Sequence, residues 1–327
     1  MSRLVPFALF FLVLRLLPSQ PLAGTPVTAL AFSPDGSSWL QNGHGSVEIH
    51  SVSDGKLIRV LKCPLAKITD IKFNRRTNLL AVAGGVPGES GKALLLDFET
   101  GKIIGASSDY DDLVTSIDFS PDGSELALAS ADQSAAIHAL ANFPKAERSL
   151  LNHTAPVLGI AFSPDGKWIV TASADRSLKV WEASSGKLVR TFSHHTAIVQ
   201  CVAFRRRQNS SGETPPLQCA SGSDDRTVRV WQPDIGRMVR IVRGHGAPIL
   251  TLVYGGDATK LFSAGSEGIV RVIDADSDEI LKSWKAHDDW IYRMALSPDG
   301  KILATGDWAG KVKLWDAQAG LGRLIRE

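Results

Sequence analysis

A chain of 327 residues with 36 lysines and arginines against 34 aspartates and glutamates has no net field with which to attract nucleic acid or an anionic membrane. A hydrophobic content of 44% with 21% charged residues excludes a disordered tail and fits an ordinary globular protein. Length alone suggests two domains, unless repeats share one continuous core.

The first element in the chain is a leader. Residues 1–24 read MSRLVPFALFFLVLRLLPSQPLAG, with Arg3, an apolar run from Leu4 to Leu14, and small residues ending at Ala23-Gly24. That order of basic, apolar and small residues is the layout of a secretory signal. The run is shorter than the roughly 20 residues that span a bilayer, so no stable membrane span is expected. Export to the periplasm or cell envelope follows as the expectation. The alternatives are a cytoplasmic protein with an apolar tail or a weak membrane anchor.

From residue 25 to 327 the chain is one array. Ser-Pro-Asp-Gly stands at 33–36, 120–123, 163–166 and 297–300, with successive copies 87, 43 and 134 residues apart. These gaps are multiples of a unit of about 44, so three degenerate copies are expected. They occur at 71–78 (IKFNRRTN), 202–209 (VAFRRRQN) and 252–259 (LVYGGDAT). Seven units result. In each turn Pro presets φ, Asp bonds its own backbone, and Gly takes the left-handed conformation that closes a hairpin.

Between turns lie short apolar segments. In the fourth unit they predict strands over Val157–Phe162, Lys167–Ser173, Leu178–Trp181 and Lys187–Phe192. Four strands per unit and seven units predict an all-β, seven-bladed β-propeller of four-stranded antiparallel blades. Blade two carries an insertion at Gly84–Lys92, expected as a loop. Blade five carries another at Arg205–Pro216, expected as a flexible, solvated bottom loop. Gly322–Glu327 is expected as the outer strand of blade seven, with closure by side-to-side packing. Cys63, Cys201 and Cys219 show no zinc, haem or redox spacing. Cys201 and Cys219 fall on adjacent strands where a pairing is conceivable, but two small core residues is the better reading.

The segments HTAPVLGIAFSPDGKWIVTASADRSLKVWE (153–182) and 194–232 resemble WD repeats. The SPDG-rich pattern behind a short signal is similar to that of bacterial WD-repeat proteins. The resemblance implies a buried tetrad of His, Ser or Thr, Asp and Trp in each well-formed blade. By position these are His153, Thr171, Asp175 and Trp181 in blade four, and His195, Ser221, Asp225 and Trp231 in blade five. Blade seven keeps His287, Thr305 and Trp315 but puts Trp308 where the turn Asp is expected. Blade six keeps His245, with Glu267 for Asp and Ile273 for Trp; blade three has Asp132, Tyr110 for His and His138 for Trp. A buried indole N–H needs an acceptor and a buried carboxylate needs donors, so the network reads as a brace. His, Asp and Ser also make a hydrolytic triad, but a recurring buried set is not a single exposed nucleophile, and no catalytic residue is assigned.

On the top face, which carries the loops before the first strand and between the second and third, stand Trp290, Trp308, Arg176, Arg226 and Tyr110. These residue types dominate interface hot spots and are the candidate partner-binding set. The alternative is that Trp308 fills the space of the missing Asp and the arginines are solvated turn residues. Adjacent His194 and His195 make no chelate spacing, so no metal or cofactor is expected. The chain reads as a non-catalytic scaffold for a protein or peptide, acting as a monomer or within a larger complex. The competing reading is an exported propeller enzyme or redox partner with an unrecognised site.

Overall fold

The computed structural model describes residues 24–206, 216–317 and 324–326. The leader expected over residues 1–24 lies, apart from Gly24, outside the described residues. The described chain forms seven four-stranded antiparallel sheets, each built from four strands consecutive in sequence. Blade four holds strands Val157–Phe162, Trp168–Ser173, Leu178–Glu182 and Leu188–Phe192. The outer strand of blade seven is Leu324–Arg326, paired to Val312–Asp316. Among the described residues, a 3-10 turn at Leu140–Asn142 is the helical segment.

The four Ser-Pro-Asp-Gly turns repeat one geometry. In each, the Ser Oγ donates to the Asp carboxylate at 2.6 Å. The glycines sit at φ between 71° and 74°, which only glycine adopts without strain.

The first strands of successive blades touch around the axis, and the first strand of blade one meets that of blade seven. Apolar layers lie between blades. Val170, Val180 and Phe192 of blade four pack with Val199, Cys219 and Trp231 of blade five. At the closing seam, Val27, Leu30, Phe32 and Trp39 pack on Ala304 and Leu314 of blade seven. Among the described residues no strand is exchanged there. The Val27 N–H donates to the Asp307 carbonyl at 3.0 Å, and a Cβ on Gly306 would lie 2.3 Å from Val27.

Two expectations change and one holds. The Gly84–Lys92 insertion is no loop but the end of a long hairpin, paired through Val86 and Ser90. Arg205 is not solvated. Its side chain is 7% exposed, and it clasps Asp276 of blade six at 2.6 and 2.9 Å while bonding Gln218. Residues 207–215 of that insertion lie outside the described residues. All three cysteines are unpaired and buried, Cys201 facing Gly222 and Cys219 facing Phe204 across the same strand pair.

Candidate functional site: the top face

The top loops are held by hydrogen-bonded chains that run down into the blades. In blade four, His153 Nδ1 meets Asp175 Oδ2 at 2.7 Å and Nε2 meets Thr171 Oγ1 at 2.7 Å. The Trp181 indole donates to the same Thr171 oxygen at 2.9 Å. One proton arrangement satisfies every group: Nδ1–H donates to the carboxylate, the hydroxyl donates to Nε2, and the indole donates to the hydroxyl. Blade five repeats this with His195, Asp225, Ser221 and Trp231 at 2.7, 2.8 and 2.8 Å. Asp175 and Asp225 also receive the Thr154 and Thr196 N–H groups, tying turn to loop. Burial pushes the Asp225 carboxyl up, but bonds from Thr227 and His195 outweigh it and leave it at about 2. The connectivity is that of a hydrolytic triad. Ser221 is nonetheless 0% exposed and its oxygen is already an acceptor for the indole, so no substrate reaches it.

Blade seven has a complete brace. His287 Nδ1 meets Asp307 at 2.8 Å, Nε2 meets Thr305 at 2.7 Å, and Trp315 donates to Thr305 at 2.8 Å. The expected loss of its Asp is therefore corrected: Asp307, at the end of the second strand, does the work of a turn residue. Trp308 replaces nothing in the brace.

Blades three and six are braced in part. Tyr110 Oη and His138 Nε2 are 2.9 Å apart, so the two substituted positions bond each other. That hydroxyl is thus directed into blade three, and the Tyr110 ring is half-buried. His245 Nε2 meets Ser263 at 2.9 Å, while Glu267 takes the Gly246 N–H and turns its other oxygen to Arg271. Nδ1 of His138 and of His245 has no hydrogen-bond partner among the described residues. Burial pushes both imidazoles down to about 4.

The remaining candidates stand at the surface. Arg176 and Arg226 are exposed at the turns after Asp175 and Asp225, at φ of 71° and 65°. Trp290 is 46% exposed. Its ring centroid lies 6.5 Å from that of Trp308, and the Tyr292 ring lies 5.4 Å from Trp308. Sequence reasoning missed Tyr292. Near the start of each inner strand from blade two onward one residue sits in a bulge that re-aims its side chain, and in blade seven that residue is Tyr292.

The WD domain, G-beta repeat model matches residues 101–138, 144–182, 186–232 and 278–316. The chain is a WD-repeat protein. Among curated relatives, this WD-repeat chain is 29% identical over 181 residues to nuclear distribution protein PAC1 of Coccidioides posadasii, covering 54% of this chain and 38% of that protein. It is 42% identical over 59 residues to guanine nucleotide-exchange factor SEC12 of Rattus norvegicus, covering 18% of this chain and 14% of that one. The match thus spans well under half the length of either relative.

Proposed function

We propose that this WD-repeat protein is a non-catalytic scaffold whose top face presents fixed loops to a protein or peptide partner. The observation that carries the proposal is the aromatic row Trp290–Trp308–Tyr292, with Trp290 exposed and Trp308 and Tyr292 half-buried, beside loops that the His287–Asp307 brace holds in place. Aromatic anchors on pre-ordered loops bind with little loss of conformational entropy. Membership of a family whose propellers typically bind proteins supports the same reading. The exchange activity in the SEC12 name belongs to that protein, and a match of 59 residues gives no ground for transferring it.

The test is recovery of partners by wild type and by a Trp290→Ala/Trp308→Ala variant that melts at the same temperature. The expected result is loss of most of at least one partner. Equal recovery of every partner removes the blade-seven anchor.

Localisation in the periplasm or envelope is also our proposal, supported by the leader-like residues 1–24. A mature N-terminus near Gly24 in the exported fraction is expected; a cytosolic protein beginning at Met1 would overturn it.

A further inference from the structure

In blades four to seven the turn between the second and third strands shares one left-handed position, and blades four and five fill it with arginine. The Arg176 N–H donates to the Ser173 carbonyl at 3.2 Å and the Arg226 N–H to that of Ser223 at 3.1 Å. Gly268 donates likewise to Gly265 at 3.1 Å, and Gly310 to Asp307 at 3.3 Å. All four backbones are left-handed, with φ of 71°, 65°, 66° and 89°. Glycine adopts that conformation freely, whereas a Cβ strains it. The fold thus accepts glycine at this position, and a side chain kept there against the strain points to a use outside the turn.

The fold makes no use of either guanidinium. Both side chains are exposed, and among the described residues neither has a hydrogen bond or an ion pair. The carboxylates beside them are engaged elsewhere. Asp175 meets His153, the Thr154 N–H and Ser177, and Asp225 meets His195, the Thr196 N–H, Thr227 and Arg229. Asp224 accepts from Gln200 at 2.9 Å. Thr154 and Thr196 are exposed too, and their hydroxyls bond no described residue. Blades four and five therefore each present a free guanidinium and a free hydroxyl tied to the same Asp turn. The corresponding pair is Asp111 and Gln133 in blade three, Gly246 and Gly268 in blade six, and Asp288 and Gly310 in blade seven. Two adjacent blades are cationic at this level, and acidic side chains stand on blades three and seven.

We propose that Arg176 and Arg226, with Thr154 and Thr196, form a strip on blades four and five that takes the carboxylates of an acidic segment of the partner. The inference rests on the top-face reading above and narrows the partner to anionic chemistry. A guanidinium offers a planar fork of N–H donors that matches a carboxylate, and the hydroxyl adds a further donor. The His153–Asp175 and His195–Asp225 braces fix the base of each arginine and leave its head free. Asp111 and Asp288 repel an acidic segment that strays toward blades three and seven, so the strip also sets where its charges lie.

The test titrates the full chain into a blocked hexaglutamate peptide carrying a neutral fluorophore, read by anisotropy at low salt, with hexaglutamine as the neutral comparison. Saturable binding of the glutamate peptide is expected, with hexaglutamine at least about tenfold weaker. Arg176→Gly and Arg226→Gly should each weaken binding by about 3-fold, and the double variant by about tenfold. The same double variant should melt at an unchanged or higher temperature, because glycine relieves the strain. Lys187→Gln/Arg237→Gln removes two positive charges beside the turns of the opposite face and should leave binding unchanged. A lower melting temperature of the glycine variant shows that the arginines serve the fold and overturns the proposal. So does binding that the glycine variant leaves unchanged, equal weakening by Lys187→Gln/Arg237→Gln, equal binding of hexaglutamine, or no saturable binding of the glutamate peptide. Partner recovery by the double-tryptophan variant judges the top-face reading separately.

Discussion

Asp307 shows that one hydrogen bond can be supplied from two places in the chain. In blades four and five the carboxylate comes four residues after Thr171 or Ser221, from the tight turn. In blade seven it comes two residues after Thr305, from the last position of the strand. That position is Ser173 in blade four, whose hydroxyl ties the Asp175 N–H. Moving the carboxylate inward replaces that serine and leaves Ala309 at the position of Asp175; Trp308, at the position of Ala174, donates its N–H to the Trp290 carbonyl at 2.9 Å as Ala174 does to Pro156. The brace and the aromatic row thus draw on adjacent residues, Asp307 and Trp308. Asp307→Ala leaves unpaired the Nδ1–H of His287, whose side chain is 0% exposed. The expected cost is about 1–3 kcal/mol, read from urea unfolding. Trp308→Ala should change stability by less, since its indole makes no hydrogen bond in the brace. The reverse ranking would mean that Asp307 does not hold this loop.

Blades three and six test what an incomplete brace does to an element. Their imidazoles, His138 and His245, are buried with one nitrogen unpartnered, and burial holds both at about 4 rather than 6.5. A histidine with a lowered folded pKa takes a proton more readily in the unfolded chain between those two values. Stability therefore falls as pH drops from about 6.5 toward 4, by on the order of 1.4 kcal/mol per pH unit for each group. The braced Asp225, at about 2, loses its contribution only below roughly pH 4, so the two effects separate. Urea midpoints measured between pH 7 and 4.5 should show the slope, and a His138→Phe/His245→Leu variant should flatten it. An unchanged slope in that variant would remove these two groups as its source. The blades themselves were legible in the sequence because turn chemistry is local: Ser-Pro-Asp-Gly fixes a hairpin wherever it stands. What depended on distant partners was not legible. Arg205 reads as the first of three loop arginines until Asp276, 71 residues on, is placed against it. Gly84–Lys92 reads as a loop because glycines mark turns, yet Gly91 is needed where its backbone pairs with Tyr110. Tyr292 reads as a strand residue, and only the bulge places it beside Trp308.

Among the described residues the ring closes without sharing a strand, so something other than sheet pairing must resist its opening. On one side the blades are stitched by hydroxyls. Thr28 Oγ1 donates to the Ile68 carbonyl at 2.5 Å, Thr69 to Val114, and Thr115 to Val157 at 2.6 Å. The equivalent bulged positions from blade four onward are Leu158, Gln200, Leu250 and Tyr292, which make no such bond. Arg293 compensates from blade seven. Its Nε donates to the Thr28 carbonyl at 2.9 Å, and Nη2 donates to those of Thr69 at 2.9 Å and Thr115 at 3.4 Å. One fork from the last blade thereby grips the first three, across the seam that Val27 and Asp307 close. Arg293→Met should cost about 1.5–3 kcal/mol, because charged donors are lost to carbonyls that channel water satisfies in part. Arg293→Lys should recover little, since an ammonium cannot reproduce the planar fork. The loss should be localised: amides of blades one and seven should exchange faster while those of blade four hardly change. Uniform acceleration around the ring would show that Arg293 adds general stability and does not guard the seam. No acceleration at all would leave closure to the apolar contact of Val27, Phe32 and Trp39 with Ala304 and Leu314.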